Sequence, residues 1–534
     1  MKRIYFGACV LLLLTVSCKK SYFDSKGDLS GTTLANYYNT EDEVRSLTST
    51  LYSGLPWSGF EQRAMCAIGD VMAGNEYAGG SDDPPFIDFS LSSTSGRVSA
   101  AWKAFYKVAG WATSYKNALE LKKATGVSAS FIDPAIAECD FMIATAYFYL
   151  GRIWGAVPIV TDPAATSLDG TSGTLPRYYQ SDVLQFATNL FKNAVSSLPE
   201  TDEEAGRVTS YAAKAMLAKL YLYRATALSE TQYYDSAKVM ALEVINSGNY
   251  SLVSDYQSMF NSSSYNNNSE SIFAIQHNIS GTNYYGSCNL ISADFGNSDL
   301  ATSDISYWQL YVPSIDFRDS AFESGDGRRE GTMMEQGWEY AAWKPQKSGA
   351  TAYNAFYANG FVYDTTQQNT DGALSATRVN IAKYVVGPGP NYGGETVGTN
   401  NQTGINFMML RYSDVLLIYA EAVLGTASST SDAAALSAFN AVRTRAGLAS
   451  KTTITFDDIF KERRAEFAFE GDYWFDIQRQ GYTKAKAIIM AQNRGTAAYA
   501  NYVTTFTSDM LYLPIPADEI TSDPNLANDP VAYY

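Results

Sequence analysis

The chain has 534 residues with 39 basic and 55 acidic side chains, which give a net charge of −16. Nucleic acids and anionic lipid headgroups are held largely by cationic contacts, and no basic stripe interrupts this acidic balance, so neither is an expected partner. The 39 tyrosines and 8 tryptophans instead favour a neutral ligand, because their wide, stiff rings can stack on sugars at a low entropy cost.

The N-terminus has the pattern of an export signal. Lys2 and Arg3 precede an apolar run over residues 4–16. This run is shorter than the roughly 20 residues that span a bilayer, and its cationic flank is typical of a cleaved signal. We therefore predict that residues 1–17 form a signal peptide.

Cys18 follows this signal and is the predicted lipid anchor. The stretch Leu-Thr-Val-Ser-Cys that ends at Cys18 resembles a bacterial lipobox, in which the cysteine is acylated. Ordinary secretion, with Cys18 lost or free, is the alternative. The polar residues 18–31 are predicted to be a flexible tether, and residues 32–534 a single domain, because no low-complexity linker divides them.

Helical periodicity dominates much of the body. Apolar residues recur at spacings of three and four, as at Met142, Ala146, Tyr149 and Ile153. The helices predicted in this way cover residues 102–123, 133–154, 180–197, 210–228, 236–247, 412–424, 432–446 and 456–470. Several form successive pairs, which favours a tetratricopeptide-like solenoid and a mainly α fold. The predicted helical scaffold covers about residues 98–248 and 409–480.

Two stretches lack this periodicity. Residues 55–97 and 249–408 are predicted to be loop-rich, because Gly, Asn, Ser and Thr abound in the longer one and its apolar runs, such as 272–276 and 381–386, are short enough to be brief strands. Their many rings argue against disorder, so these loops are the predicted ligand region. The last segment, residues 511–534, is predicted to be an extended strap, because four prolines fix its backbone.

Ten short motifs occur in a characteristic order. They are WKAFY at 102–106, AYFYL at 146–150, WGAVP at 154–158, GRVT at 206–209, SGNY at 247–250, ESIF at 270–273, RYSDVLL at 411–417, NAVRTRAGL at 440–448, ERRAEF at 462–467 and WFD at 474–476. In this order they resemble the SusD/RagB family of outer-membrane nutrient-binding lipoproteins. The resemblance covers nearly the whole chain beyond the signal peptide.

The resemblance implies both a fold and a function. It implies a SusD-like, mainly α fold with tetratricopeptide-like hairpins and a lipid-anchored, surface-exposed position at the outer membrane. It also implies a SusC-like TonB-dependent transporter as partner. Family members bind glycans, and some other nutrients, without cleaving them, so no catalytic residue, cofactor or metal is expected.

Charged side chains within apolar helices predict buried ion pairs. A charge persists in such surroundings only if it is paired. The residues concerned are Arg411, Asp414, Arg443, Arg445, Glu462 and Glu466. Contact with a protein partner is the alternative.

Two regions combine rings with polar side chains, as a sugar-binding site requires. In the first, where family members commonly place ligand contacts, the predicted contacts are Asn75, Tyr77, Asp82, Asp83 and Phe86. In the second they are Tyr284, Tyr285, Trp308, Trp338, Trp343 and Tyr353. Rings would cover the apolar faces of sugars while amide and carboxylate oxygens accept hydrogen bonds from hydroxyls.

The inventory of reactive groups argues against most enzyme classes. His277 is the one histidine, so the chain lacks the histidines from which a His-based zinc site or a Ser-His-Asp triad is readily assembled. The cysteines Cys66, Cys139 and Cys288 have no metal-like spacing. Two carboxylates suffice for glycoside hydrolysis, however, so a surface glycoside hydrolase stays open as an alternative, as does a helical-repeat adaptor whose partner is a protein.

Overall fold

The computed structural model describes residues 37–61, 63–79, 82–279, 288–364, 379–398, 402–495 and 500–534. Helices make up most of the regular structure, which confirms the mainly α class. They are α1 (Glu41–Ser49), α2 (Gly54–Trp57), α3 (Arg63–Cys66), α4 (Pro84–Asp88), α5 (Gly96–Ala124), α6 (Ala129–Trp154), α7 (Pro163–Leu168), α8 (Gln180–Ser197), α9 (Ser210–Ala227), α10 (Tyr233–Ser247), α11 (Ser258–Asn261), α12 (Ile291–Phe295), α13 (Ile315–Ser320), α14 (Arg328–Thr332), α15 (Thr351–Phe356), α16 (Tyr412–Leu424), α17 (Ala433–Arg445), α18 (Phe456–Glu466), α19 (Tyr473–Gln478), α20 (Tyr482–Ala491) and α21 (Ala517–Ser522).

The strands are short and form antiparallel pairs. They are β1 (Glu76–Ala78), β2 (Ser271–Ile275), β3 (Tyr311–Pro313), β4 (Met333–Met334), β5 (Glu339–Tyr340), β6 (Phe361–Val362), β7 (Asn380–Ile381) and β8 (Phe407–Arg411). Within the described residues β1 pairs with β3, β2 with β8, β4 with β7 and β5 with β6. A strand was predicted over residues 381–386, but β7 ends at Ile381, because the chain turns after this residue.

The long helices pack side by side in chain order. α5 packs on α6, α6 on α8, α8 on α9, α9 on α10, and α16 on α17. The pairs α5–α6, α9–α10 and α16–α17 are the hairpins that the sequence predicts. α6 is the most enclosed: every residue from Ala137 to Trp154 is buried, and the helix begins earlier than predicted because Ser128 caps it. No helix among the described residues is both long and apolar enough to cross a membrane.

The loop-rich region after residue 248 is inserted between two neighbouring helices. α10 packs directly on α16, although about 160 residues separate them in sequence. β2 and β8 close the neck of this insertion, with Ser271 opposite Arg411 and Ile275 opposite Phe407. The insertion thus leaves the scaffold and returns to it at one place.

Helix α18 ends earlier than its periodicity suggests. The prediction ran to residue 470, but the helix ends at Glu466 and the chain turns. The backbone N–H groups of Phe469 and Gly471 donate to the buried carboxylate of Asp70, at 3.1 and 2.7 Å. A Cβ on Gly69 would lie 2.2 Å from the Gly471 backbone, so only glycine allows this approach.

The C-terminal segment is not extended throughout, which corrects the prediction for residues 511–534. It contains α21 and a 3₁₀ turn at Pro524–Ala527. Proline is compatible with both, because Pro516 precedes the first helical residue and Pro524 occupies the first position of its turn. Backbone hydrogen bonds attach the segment to the rest of the domain, from Leu513 to Ile153, from Ala517 to Ser93 and from Val531 to Arg177.

A buried ion network, here called the Glu466 network, joins the scaffold to the insertion. Glu466 accepts hydrogen bonds from Arg411 and Arg328 at 2.8 and 3.0 Å, and also from Arg445. The other members are Glu270, Asp326, Lys383, Arg443, Glu462 and Glu470. These are five cations and five anions. Although burial alone would raise the pKa of Glu466, the guanidinium groups of Arg445, Arg411 and Arg328 hold it well below its usual range.

A second network, the Arg463 network, cross-links the scaffold helices. Arg463 contacts Asp414 at 2.6 Å and Asp476 at 2.8 Å, and Lys219 from α9 contacts Asp414 at 2.8 Å. The other members are Arg152, Glu421, Asp472 and Arg479. The two networks together confirm the ion pairs predicted for Arg411, Asp414, Arg443, Arg445, Glu462 and Glu466.

We predict that Glu466→Gln destabilises the fold by about 3–5 kcal/mol, because it leaves three buried guanidinium groups without their shared anion. Urea denaturation followed by circular dichroism would measure the change. The matched control is Asp235→Asn, which removes an exposed ion pair with Lys238 and should leave the midpoint nearly unchanged. Equal midpoints for wild type and Glu466→Gln would contradict the prediction.

Candidate ligand-binding site

The two predicted ligand regions meet at a short strand pair. β1 carries Tyr77, and β3 begins three residues after Trp308. Tyr77 lies opposite Val312, and the N–H of Gly79 donates to the carbonyl of Leu310 at 3.0 Å. This pairing brings Gly79, which follows β1, beside the segment that carries Trp308.

Trp308 is a half-buried ring held by a fixed cation. The guanidinium carbon of Arg63 lies 5.1 Å from the centroid of the Trp308 ring, within the range of a cation–π interaction. Nε and Nη2 of Arg63 donate to the Asp294 carboxylate at 2.9 to 3.1 Å. The side chain of Asp294 is 1% exposed and that of Arg63 is 31% exposed, so the anion lies beneath the cation. The backbone N–H of Trp308 also donates a hydrogen bond to the Ala293 carbonyl, at 2.8 Å.

A second cation lies close to this arrangement. Arg97 donates through Nε to the Asp83 carboxylate at 2.8 Å, and the Tyr311 hydroxyl donates to the same carboxylate at 3.0 Å. Asp82 is 4.0 Å from Arg97, and its side chain is 67% exposed. Of the two predicted aspartates, Asp82 therefore faces solvent and Asp83 is enclosed.

Buried carboxyl groups lie under the site. Burial raises the pKa of Asp294 to about 6, against the opposing effect of Arg63. Burial raises the pKa of Glu76 well above its usual range, and the neighbouring carboxyls of Asp70, Asp83 and Asp294 add to the effect. Neither carboxyl oxygen of Glu76 has a hydrogen-bond partner among the described residues. Burial and the acidic neighbours of Glu76 thus favour its neutral form.

The predicted residues Trp338 and Trp343 form a packed stack around Tyr340. The Tyr340 ring centroid lies 4.0 Å from that of Trp343 and 5.6 Å from that of Trp338. Both tryptophans are buried; the Trp338 indole donates to the Glu330 carbonyl at 2.9 Å, and a Cβ on Gly387 would lie 2.4 Å from the Trp343 ring. Tyr340 is only partly buried, so it is the exposed member of this stack.

Tyr353, from the second predicted region, is another half-buried ring. Its hydroxyl donates to the carbonyl of Asp299 and, at 3.3 Å, to that of Ala301. The ammonium nitrogen of Lys347 lies 4.3 Å from its ring centroid. The Tyr353 ring also packs edge-on against Tyr357, at 4.9 Å between centroids. Tyr353 is thus a ring with one face already covered by a cation.

Besides Asp83, three further predicted contacts of the first region lie inside the protein. The Asn75 amide donates to Asp70 at 2.9 Å, and its oxygen accepts a hydrogen bond from Arg464 at 3.0 Å. Phe86 is fully buried, and Tyr77 is nearly so. These side chains help to hold β1 in place. Tyr284, Tyr285 and Cys18 lie outside the described residues.

Two residues of the site have no signal in the sequence. Arg63 is one of many arginines, and its partner Asp294 is 231 positions away. Tyr340 lies between the two predicted tryptophans, but nothing in that stretch indicates which ring is exposed. No group of acidic, histidine or cysteine side chains in the described part of the chain could hold a metal ion. The geometry suits a neutral, hydroxyl-bearing ligand that stacks on Trp308 beside the Arg63 donors.

Sequence comparison places the chain in a known family. A model of the SusD family matches residues 252–533, and a second, described as starch-binding associating with outer membrane, matches residues 86–222. A SusD-like protein of Bacteroides ovatus is 30% identical, over 98% of this chain and 96% of its own length. SusD-like protein P2 of Formosa agariphila is 24% identical, over 98% and 99%. The chain belongs to the SusD/RagB family, as its motifs predict.

Solved structures share the fold. One, crystallised with a xylogluco-oligosaccharide, is 29% identical with a TM-score of 0.78, and the match covers 92% of this chain and 99% of that one. A laminarin-binding SusD-like protein is 23% identical with a TM-score of 0.67, over 91% and 98%. These matches confirm the SusD-like fold.

We predict a local rearrangement at Trp308 near pH 6. Protonation of Asp294, whose pKa is about 6, weakens its hold on Arg63 and so changes the environment of the Trp308 ring. The unfolded chain takes up this proton only near pH 4, so this group lowers stability as pH rises from about 4 to about 6. Fluorescence titration, taken as wild type minus Trp308→Phe, would detect the transition.

The control for this titration is Asp294→Asn, which has no proton to take up. The transition should be absent from the corresponding difference between Asp294→Asn and the double variant Asp294→Asn/Trp308→Phe. A transition near pH 6 that persists there would assign the titration to another group.

Proposed function

We propose that this protein is a non-catalytic glycan-binding protein of the cell surface that delivers its ligand to a SusC-like, TonB-dependent transporter. The observation that carries the proposal is the Trp308–Arg63–Asp294 arrangement. A partly exposed indole suits the apolar face of a sugar ring, and the fixed guanidinium beside it offers donors for hydroxyl oxygens. The oligosaccharide in the structure that is 29% identical supports a glycan as the ligand class.

The predicted residues, together with Arg63 and Tyr340 from the structure, take different roles in this proposal. Direct ligand contact is assigned to Trp308, Arg63, Asp82, Tyr340 and Tyr353, which keep part of their surface exposed. A positioning role is assigned to those that are buried, namely Asn75, Tyr77, Asp83, Phe86, Trp338 and Trp343. Tyr284 and Tyr285 remain predicted contacts.

Delivery requires that the protein stays near its transporter. Acylation of Cys18 would tether the body to the outer membrane through residues 18–31. Several acyl chains on one cysteine give effectively permanent anchoring, since each buried methylene contributes about 0.8 kcal/mol. The proposed energy source is the transporter system, because the chain has no recognisable nucleotide-binding motif.

We expect Trp308→Ala to weaken glycan binding by about tenfold or more, because the ring is the central stacking surface. Affinity electrophoresis against xyloglucan, laminarin and starch would find the ligand, and calorimetry would measure the affinity. The matched control is Tyr534→Ala, which removes an exposed ring from the C-terminal segment and should bind normally. A reducing-sugar assay on the same samples tests catalysis.

Three results would overturn this proposal. Release of reducing sugar by the wild-type protein would favour the surface glycoside hydrolase. Failure to bind any polysaccharide would favour the protein-binding adaptor. Full affinity in Trp308→Ala, with the fold intact by circular dichroism, would remove the site from this position.

Lipid anchoring is tested separately. Cells expressing the full chain should incorporate labelled palmitate into the wild-type protein, which should fractionate with membranes. Cys18→Ser should lose both the label and the membrane association, because no thiol remains to acylate at that position. Cys288→Ser is the matched control and should keep both. An unlabelled wild-type protein would favour ordinary secretion.

A further inference from the structure

A second cavity lies on the scaffold, between α5 and the C-terminal segment. Its volume is about 410 Å³, which falls within the range of small-ligand pockets. The side chains that line it include Trp102, Lys103, Tyr106, Lys107, Glu519 and Ser522. We call it the tail pocket. None of the residues that line it belongs to the site around Trp308.

One wall of the tail pocket is a rigid aromatic surface. Trp102 and Tyr106 are four residues apart on α5 and therefore share one helix face, with ring centroids 4.9 Å apart. The Tyr106 hydroxyl donates to the Pro158 carbonyl at 2.8 Å, and Trp102 packs edge-on against Trp154 at 5.1 Å. The rings are thus held in place before any ligand arrives. Tyr106 remains partly exposed, whereas Trp102 is buried and supports the Tyr106 ring.

The opposite wall is polar and comes from α21. The Glu519 carboxylate faces the Lys103 ammonium at 3.9 Å. Lys107 adds a second cation, and Asp523 adds a second anion that accepts a hydrogen bond from the Leu175 N–H at 2.8 Å. The two lysines and two carboxylates that line the cavity have no net charge together, and Lys103 is also paired with Asp518 beside the cavity. This balance favours a neutral ligand with hydroxyl groups over a charged one.

We propose that the tail pocket is a second carbohydrate subsite, which takes a neutral mono- or disaccharide unit between the α5 rings and the α21 side chains. A pyranose has an apolar face for Tyr106, which packs on Trp102, and hydroxyls for Glu519 and the lysines. The subsite extends the proposed function, and it rests on that function for the expectation that glycans are the natural ligand. A protein with two separated subsites would hold a long polymer at two points.

Hydrogen–deuterium exchange of the mature protein with glucose, cellobiose, maltose or laminaribiose tests the subsite directly. We expect at least one of these sugars to slow exchange in peptides that cover residues 100–110 and 515–527. Ser522→Trp, which fills the cavity from its exposed rim, should abolish this protection. Thr521→Trp is the matched control, because Thr521 is also exposed on the same helix but does not line the cavity.

The outcomes separate the subsite from the proposed function. Protection that is present in wild type and Thr521→Trp but absent from Ser522→Trp supports the subsite, and it should persist in Trp308→Ala. Absence of protection with every sugar, or equal protection in Ser522→Trp, would overturn it. Loss of polysaccharide binding in general, with tail-pocket protection retained, would refute the proposed function and leave the subsite standing.

Discussion

The Glu466 network is the constraint on which the rest of the molecule depends. One carboxylate at the end of α18 holds Arg445 from the scaffold, Arg411 from the neck of the insertion and Arg328 from within the insertion. Such groups are costly to bury unless each charge is matched, and here five cations meet five anions. The loops therefore have a defined position relative to the helices, although few of them contain regular structure.

The ligand site is held in place by contacts that begin at the end of α18. Asp70 ties the turn after α18 to the segment that leads to β1, and β1 pairs with β3 just beyond Trp308. The guanidinium of Arg63 then packs against the indole of Trp308. It is itself held by the buried carboxylate of Asp294. A stacking ring held in this way loses little conformational entropy on binding, which is the main advantage of a preformed site.

The helices could be predicted because their periodicity is local. The bounds of α8 and α16 match the prediction, whereas the end of α18 does not, because Asp70, almost 400 positions away, decides it. The site was only partly predictable for the same reason. Trp308, Trp338 and Trp343 look alike in sequence, yet the last two are packed under other loops. Arg63 gives no local signal at all, since its carboxylate partner is 231 residues away.

The single neck of the insertion has an evolutionary consequence. Since α10 and α16 touch each other directly, the scaffold is continuous without the roughly 160 residues between them. Loop closure is tolerant of length, at about 0.6 kcal/mol for each doubling. Exchange or lengthening of these loops is therefore compatible with the fold, provided that residues equivalent to Arg328 and Lys383 still contact the Glu466 network. A change of ligand specificity would then require no change in the helical scaffold.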